Sequence, residues 1–425
     1  MDLEVNICSL PRWLVVNRPS NINSKKLYAF SVYPVKDLMK GLTMAEDCLD
    51  KVLGCIFGAT VGDSVGGPVE FKPPDFIHSL LNGEEWLEDM LPYRQGAHPL
   101  GIWVANAPRG TGTDDTRLNH IFIESVIKNR GHISAELLAL EYIYRYRNHE
   151  TIYPKKYWSL AKEFLENPYI CSCALLGFDD PEIYRGLPPH VAKNPPGLPN
   201  LMGLISLQSV GLLYPNDTQK AYAKAYELSS IMDIGFAHDA TALLAATVSA
   251  AMSEEKKVEK IIERALKTNP FGFRNRRMTD ASLSGHDFID ICFHTPTLPK
   301  FFEIVEKSRS ERELILGLAK EGEYLHPFDP FDCLGVALAA IQYHKGDPVR
   351  SILAAANHRR VDGDGKLIRL RDVDCIAGVA GAIVGAINGL SAFPKDWVRD
   401  VAQANRDVYD IDIEKNARRF YDIVY

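Results

Sequence analysis

A chain of 425 residues with 46% hydrophobic and 24% charged residues has the composition of a soluble globular protein able to bury a large core. Its net charge of -7 argues against a broad nucleic-acid footprint, and no Lys/Arg run is longer than a doublet such as Arg276-Arg277 or Arg359-Arg360. The eight cysteines, at 8, 48, 55, 171, 173, 292, 333 and 375, form no CxxC pair, which speaks against a zinc site or a disulfide framework and for reduced thiols in a cytoplasmic protein.

The acidic start Met1-Asp-Leu-Glu4 has no uninterrupted apolar region and does not read as a signal peptide. The longest near-apolar run, Cys375 to Ile387, is 13 residues, too short for a bilayer. No membrane partner is expected.

Residues 1–43 mix aromatic, basic and proline-containing pieces without a period and are read as an N-terminal arm or extension. Residues 44–425 are read as one all-α domain. From Met44 a helical pattern begins with Leu49, Val52, Leu53, Ile56 and Phe57, and within it Gly54, Gly58, Gly62 and Gly66 recur every fourth residue. Each interior glycine costs about 1 kcal/mol against alanine in a helix, so four on one ridge predict a face that another backbone approaches closely. Asp63 falls inside the ridge and Glu70 just past it, and Pro68 is expected to end the helix. The next forty residues, rich in Gly and Pro, read as a long loop.

That loop returns at Gly110-Thr-Gly-Thr-Asp-Asp-Thr116, where two adjacent carboxylates stand at a loop-to-helix junction. Paired acids are costly to hold together without something cationic between them: a metal ion, a basic side chain, or water at an exposed helix start. The plain alternative is a cap, with Thr113 or Asp114 closing the helix and Asp115 favoured by its dipole. Gly110, Thr111 and Gly112 offer backbone N–H groups ahead of a helix, either as a cradle for a diphosphate or as an ordinary turn.

Helical patterns then dominate, over 114–129, 134–148, 156–168, 217–231, 236–253, 256–267, 331–345, 348–357, 374–390 and 410–422. The best strand signal is Arg360 to Leu370, where Asp362-Gly-Asp-Gly365 predicts a surface hairpin; the downstream Glu of a calcium loop is absent. Next comes Asp372-Val-Asp374, followed by a second glycine-rich helix with Gly378, Gly381, Gly385 and Gly389. If the two smooth-faced helices pack, Asp63, Glu70, Asp372 and Asp374 face one cavity. All these potential ligands are hard oxygens, suited to magnesium, manganese or calcium, and two metals would account for so many acids.

In four ordered blocks between Glu46 and Trp397 the chain resembles the ADP-ribosylglycohydrolases, the group related to dinitrogenase reductase-activating glycohydrolase. The blocks are Leu53 to Asp63 with Pro68-Val-Glu-Phe71; Thr113-Asp-Asp-Thr116; Gly211-Leu-Leu-Tyr-Pro215 with Phe236-Ala-His-Asp-Ala240; and Asp372-Val-Asp-Cys-Ile-Ala377. The resemblance implies an all-α domain with a binuclear magnesium centre that hydrolyses an N- or O-glycosidic bond at C1″ of an ADP-ribosyl group, carried on a protein or a small molecule. It implies Thr113, Asp114, Asp115, Asp372 and Asp374 as metal ligands, with Cys375 where the family's sixth ligand is Thr. A thiol is a softer donor than a hydroxyl. Glu70, Asp115 and Asp374 are the expected catalytic carboxylates, Glu70 moving the proton, and manganese is an expected substitute metal. Substrate contacts are expected from Gly110, Thr111, Gly112, Asn200 and His238. The sequence departs from the family's Gly-Asn-Gly pattern around Asn200, and His238 taken alone reads as a core histidine. Asp63 is read as structural support. Two rivals are a catalytically weakened nucleotide-binding relative, motivated by Cys375, and a two-metal hydrolase of another nucleoside or phosphoester.

Overall fold

Two helices ridged with glycine can meet backbone to backbone, and the described core is built on such a contact. The computed structural model describes residues 35–94, 107–178, 180, 199–271, 298–323 and 325–425, with side chains from Ala45 onward. The expected arm as far as residue 34, Cys8, Cys292 and the Arg276-Arg277 doublet lie outside the described residues. Contacts divide the chain into two units, Met1–Met44 and Ala45–Tyr425, and the core and the candidate site belong to the second.

Seventeen α-helices and one short hairpin make up most of the described residues, the all-α class expected from sequence. In order, they are α1 (Val35–Gly66), α2 (Pro74–Leu80), α3 (Asp114–Lys128), α4 (Ala135–Arg147), α5 (His149–Ile152), α6 (Trp158–Leu176), α7 (Met202–Ser206), α8 (Thr218–Ser229), α9 (Ala237–Ala251) and α10 (Val258–Leu266). After them come α11 (Leu298–Lys307), α12 (Glu311–Glu321), α13 (Pro330–Tyr343), α14 (Pro348–Ala356), β1 (Arg359–Val361), β2 (Leu367–Leu370), α15 (Val373–Asn388), α16 (Lys395–Tyr409) and α17 (Ile413–Val424). Side-chain oxygens of Thr113, Ser134, Asp217, Asp329, Asp347 and Asp412 accept the first orphan N–H groups of α3, α4, α8, α13, α14 and α17.

The contact of α1 with α15 is antiparallel. A Cβ added at Gly54, Gly58 or Gly62 would fall on the carbonyl oxygen of Gly385, Gly381 or Ala377 respectively, and one at Gly66 on the Val373–Asp374 peptide. The glycine spacing therefore does what the sequence predicts. It also sets the C-terminal end of α1 beside the N-terminal end of α15, which brings Asp63 and Glu70 toward Asp372 and Asp374. By length and composition Ala45–Val69 could cross a bilayer, which the sequence reading passes over in favour of Cys375 to Ile387, but its apolar window is wholly buried in the protein.

Several elements differ from expectation. The helix expected over 156–168 runs to Leu176, through Pro168, and ends on Gly177 at φ 69°. Burial of Phe164, Leu165, Tyr169, Cys171 and Cys173 along it holds the helix together despite the hydrogen bond lost at proline. The loop expected after Glu70 contains α2, and the stretch 268–330 between two expected helices contains α11 and α12. Helix α16 is absent from the sequence reading because only Trp397, Val401, Ala404, Asn405, Val408 and Tyr409 are buried in a segment rich in charged and polar residues. The hairpin forms as expected, and Asp362 Oδ1 accepts from the N–H groups of Asp364 (3.0 Å) and Lys366 (2.9 Å), a turn and not a cation loop.

Candidate metal centre

Glu70 and Asp372 meet because the chain is pinned on both sides of them. Phe71 N–H donates to Arg371 O (3.2 Å) and Leu370 N–H to Lys72 O (3.1 Å). Phe71 takes φ 53°, a conformation that costs a non-glycine residue about 1 kcal/mol and is held here by these bonds. Arg371 is itself anchored: its guanidinium donates to Asp332 (2.9 Å) and to the carbonyls of Gly322 (3.3 Å) and His326 (3.2 Å). The basic residue before Asp372 is thus a strut for the loop that precedes α15.

Asp63 does the same for the other acid pair. Its carboxylate accepts the N–H groups of Thr113 (2.8 Å) and Thr116 (3.1 Å) and the Thr116 hydroxyl, so it fixes the first turn of α3, the supporting role read from sequence. Thr113 is the cap of α3, its hydroxyl accepting from Asp115 N–H at 3.3 Å. The capping alternative therefore holds for Thr113, while Asp372, at the N-cap position of α15, makes no capping bond with its side chain. The acids stand at the positive ends of two helices, where anions are favoured.

Two groups of side-chain donors converge: Glu70, Asp372 and Asp374 in one, Asp115, Asp374 and Cys375 in the other, with ligand atoms of each group within 4.8 Å of one another. Asp374 belongs to both. All five side chains are buried. Asp115 Oδ2, Asp372 Oδ2 and Asp374 Oδ1 are buried without a hydrogen-bond partner, and Cys375 Sγ donates to Asp115 Oδ1 at 3.6 Å. Asp114, half-buried, stands beside them on the same turn. Buried carboxylate oxygens with no donor need either a proton or a cation.

In the absence of a cation, protons are favoured. Burial, and then the charges of Asp374 and Asp372, push Glu70 well above the usual carboxylate range. Asp115 and Asp374 are raised well above it by burial and then by each other's neighbours, Asp374 acting on Asp115 and Asp372 on Asp374. Burial lifts Asp372 to about 6 against the hydrogen bond with Glu70, and lifts Asp63 to about 6 against the bonds from Thr116 and Thr113. The Cys375 thiol is raised by burial and by Asp115. Oxygen donors from two helix starts, hard in character and short of partners, fit a divalent cation such as magnesium or manganese. Cys375 is the soft exception.

Of the two readings of Gly110, Thr111 and Gly112, the hydrogen bonds favour the ordinary turn over the diphosphate cradle. The N–H groups of Thr111, Gly112 and Thr113 are taken by Pro108 O (3.2 Å), Asn405 Oδ1 (3.1 Å) and Asp63, and Gly110, Thr111 and Gly112 are buried. Gly110 at φ +89° lies against the backbone of Asp400 in α16. The donors of Thr111, Gly112 and Thr113 are thus spent inside the protein. Asn200 Oδ1 accepts from Met202 N–H (3.0 Å), and His238 Nδ1 pairs with Ser229 Oγ (2.8 Å) while its ring tilts on Tyr226 at 5.0 Å. Asn357 clamps the Leu87 backbone in both directions at 2.9 Å. Arg109 is tied to Asp89 (2.8 Å), Asp396 (3.2 Å) and the Met90 carbonyl (2.9 Å).

Three residues at the centre escape the sequence reading. Asn405 and Tyr409 of α16 hold the turn from behind, Asn405 Nδ2 donating to Gly110 O (2.9 Å) and Tyr409 Oη to Gly112 O (2.8 Å). Tyr93, buried and with an unpartnered hydroxyl, stands against Gly67, where a Cβ would strike it. The apolar spacing of Trp397, Val401, Ala404 and Val408 was the available signal for α16; nothing local marks Tyr93.

Comparison with known proteins adds two findings. The family description of ADP-ribosylglycohydrolases matches residues 44–424. A solved structure described as an ADP-ribosylglycohydrolase-related protein complex aligns over 89% of this chain and 100% of that one, with TM-score 0.54 and 21% identity, a likeness of fold. No curated protein gives a significant match.

Proposed function

The chain belongs to the ADP-ribosylglycohydrolase family, and from that premise we propose that it hydrolyses the glycosidic bond at C1″ of an ADP-ribosyl conjugate with the help of two divalent cations, magnesium or manganese. The observation that carries the reading is the pair of donor groups sharing Asp374, with three buried carboxylate oxygens lacking any partner. Thr113, Asp114, Asp115, Asp372 and Asp374 would hold the cations, with Cys375 at the remaining position. Bound there, divalent cations supply Lewis-acid chemistry toward water and the ribose hydroxyls.

The chain's own part in the reaction follows from its charges. Glu70, raised by burial and by its acidic neighbours, is suited to take a proton from the attacking water and return it to the leaving group. The negative charge of Asp115 and Asp374 favours cationic character at C1″ as the bond breaks. His238, grouped with Tyr226 and Phe271, and Asn200 are proposed contacts to the nucleotide end of the substrate.

The assay is release of ADP-ribose from ADP-ribosyl-arginine, ADP-ribosyl-serine and O-acetyl-ADP-ribose, with magnesium or with EDTA. Release from at least one substrate, dependent on metal and lost in Glu70→Gln, is expected; no release from any of them with metal bound overturns the reading. The bond from Cys375 to Asp115 favours a second reading, a relative that binds ADP-ribose without turnover. Binding without release in the natural protein, with release appearing in Cys375→Thr, would select it.

A further inference from the structure

Arg117, His120, Ile121 and Glu124 share one face of α3, the helix whose first turn carries Asp114 and Asp115, and they line a cavity of about 170 Å³. Arg117 is 4% exposed, and its guanidinium lies between the rings of Phe164 and Tyr409, at 4.6 and 4.8 Å from their centroids. Cation–π contact of this kind meets part of the charge and uses none of the N–H donors. None of its three nitrogens has a hydrogen-bond partner, and no ion pair is made to it among the described residues. His120, 2% exposed, also has both ring nitrogens unpartnered. Burial holds its pKa down at about 4, so near neutral pH it is an uncharged ring with one N–H to donate.

Of the neighbouring charges, Asp410 lines the cavity but makes no ion pair with Arg117 among the described residues, and Arg145 and Glu124 are already committed. Arg145 pairs with Glu124 (2.6 Å) and Glu141 (2.8 Å), and the other oxygen of Glu124 accepts from Asn416 at 3.0 Å. Asp114 feels the charge of Arg117 from the preceding turn. The remaining lining is largely apolar or aromatic, with Leu160 and Tyr157 among it. A buried cation with its edge unbonded is costly, and water satisfies its donors without meeting its charge. An oxyanion does both, and a guanidinium edge matches its geometry.

We propose that this cavity is a second binding site, separate from the metal centre, for a small oxyanion, a carboxylate or a phosphate group borne on a compact body, held by Arg117 and His120. Calorimetric titration of the full-length protein in EDTA with sodium benzoate and with inorganic phosphate, each against sodium chloride, tests it without substrate or metal. Expected is saturable binding of one probe at one per chain, weakened at least tenfold in Arg117→Met and in Leu160→Trp, which fills the cavity. Response to benzoate alone assigns a carboxylate, response to phosphate alone a phosphate. Heats equal to the chloride control for both probes, or affinity unchanged in the variants, overturn the proposal. Should Arg117→Met fail to fold, Leu160→Trp carries the comparison alone. Loss of hydrolase activity has no bearing on either outcome.

Discussion

Asp374 is shared by both donor groups, so its charge is the one whose removal separates structure from chemistry. Asp374→Asn relieves like-charge repulsion in a buried cluster, and the variant without metal is expected to be as stable as the natural protein or more so, by roughly 1 kcal/mol. The same change should weaken metal binding by at least about a hundredfold, since even partners one bond removed from a metal cost ten to a hundredfold. Thermal melts with and without magnesium check both halves, and a destabilised variant that keeps its magnesium response contradicts the assignment. The acids also fix a pH dependence. With folded values for Asp63 and Asp372 raised from 3.8 to about 6, the folded protein without metal holds more protons than the unfolded chain between those values, and stability falls as pH rises through that window. Cations bind the ionised form, so the stabilisation they add should be small near pH 4 and grow through pH 6 and above. A magnesium increment in melting temperature that is flat across pH 4 to 8 would contradict it.

At the level of elements, the glycine ridges make the strongest demand on sequence. Gly62→Ala gains up to about 1 kcal/mol in helix propensity, but its methyl group would fall on the Ala377 carbonyl. Two packed backbones cannot move apart locally, and a net loss of roughly 1–3 kcal/mol is expected in urea unfolding. Gly363→Ala in the hairpin, with nothing within 4 Å of its Cβ, should change stability by under about 0.5 kcal/mol. Equal effects at the two positions would refute the packing account. These ridges are legible in the sequence because a helix bears a four-residue repeat of its least favourable small residue only where a neighbouring backbone demands the space, and the acid pairs are legible because like charges side by side need a reason. The role of Gly110 to Gly112 is not legible in the same way. Backbone N–H groups ahead of a helix look alike whether free or spent, and the acceptors of Gly112 and Thr113, Asn405 and Asp63, lie far off in the chain. Helix α16 shows the complementary limit: its buried face is narrow, and the partner that makes it matter is the turn it supports.

The centre as a whole is closed by residues from distant parts of the chain. Ser64 of α1 and Asn405 of α16 both donate to Gly110 O, at 3.0 and 2.9 Å, and Asn405 Oδ1 accepts Gly112 N–H at 3.1 Å. The turn that presents Thr113, Asp114 and Asp115 is therefore gripped by a side chain nearly 300 positions later (|i−j| 293 and 295). Asn405→Ala removes both ends of that grip and leaves a buried N–H without its acceptor, at a cost of about 1–3 kcal/mol. The loss falls on a turn whose remaining ties are to Asp63, Ser64 and Tyr409, so its effect should be local. Amide exchange over 107–118 is expected to speed while α13, held by its own buried face, keeps its protection. Metal affinity should fall in parallel, by roughly tenfold, as for other residues that orient ligands without touching the metal. Uniform loss of protection across both segments would instead make Asn405 a residue of global stability, and unchanged exchange at 107–118 would remove the C-terminal helices from any part in shaping the centre.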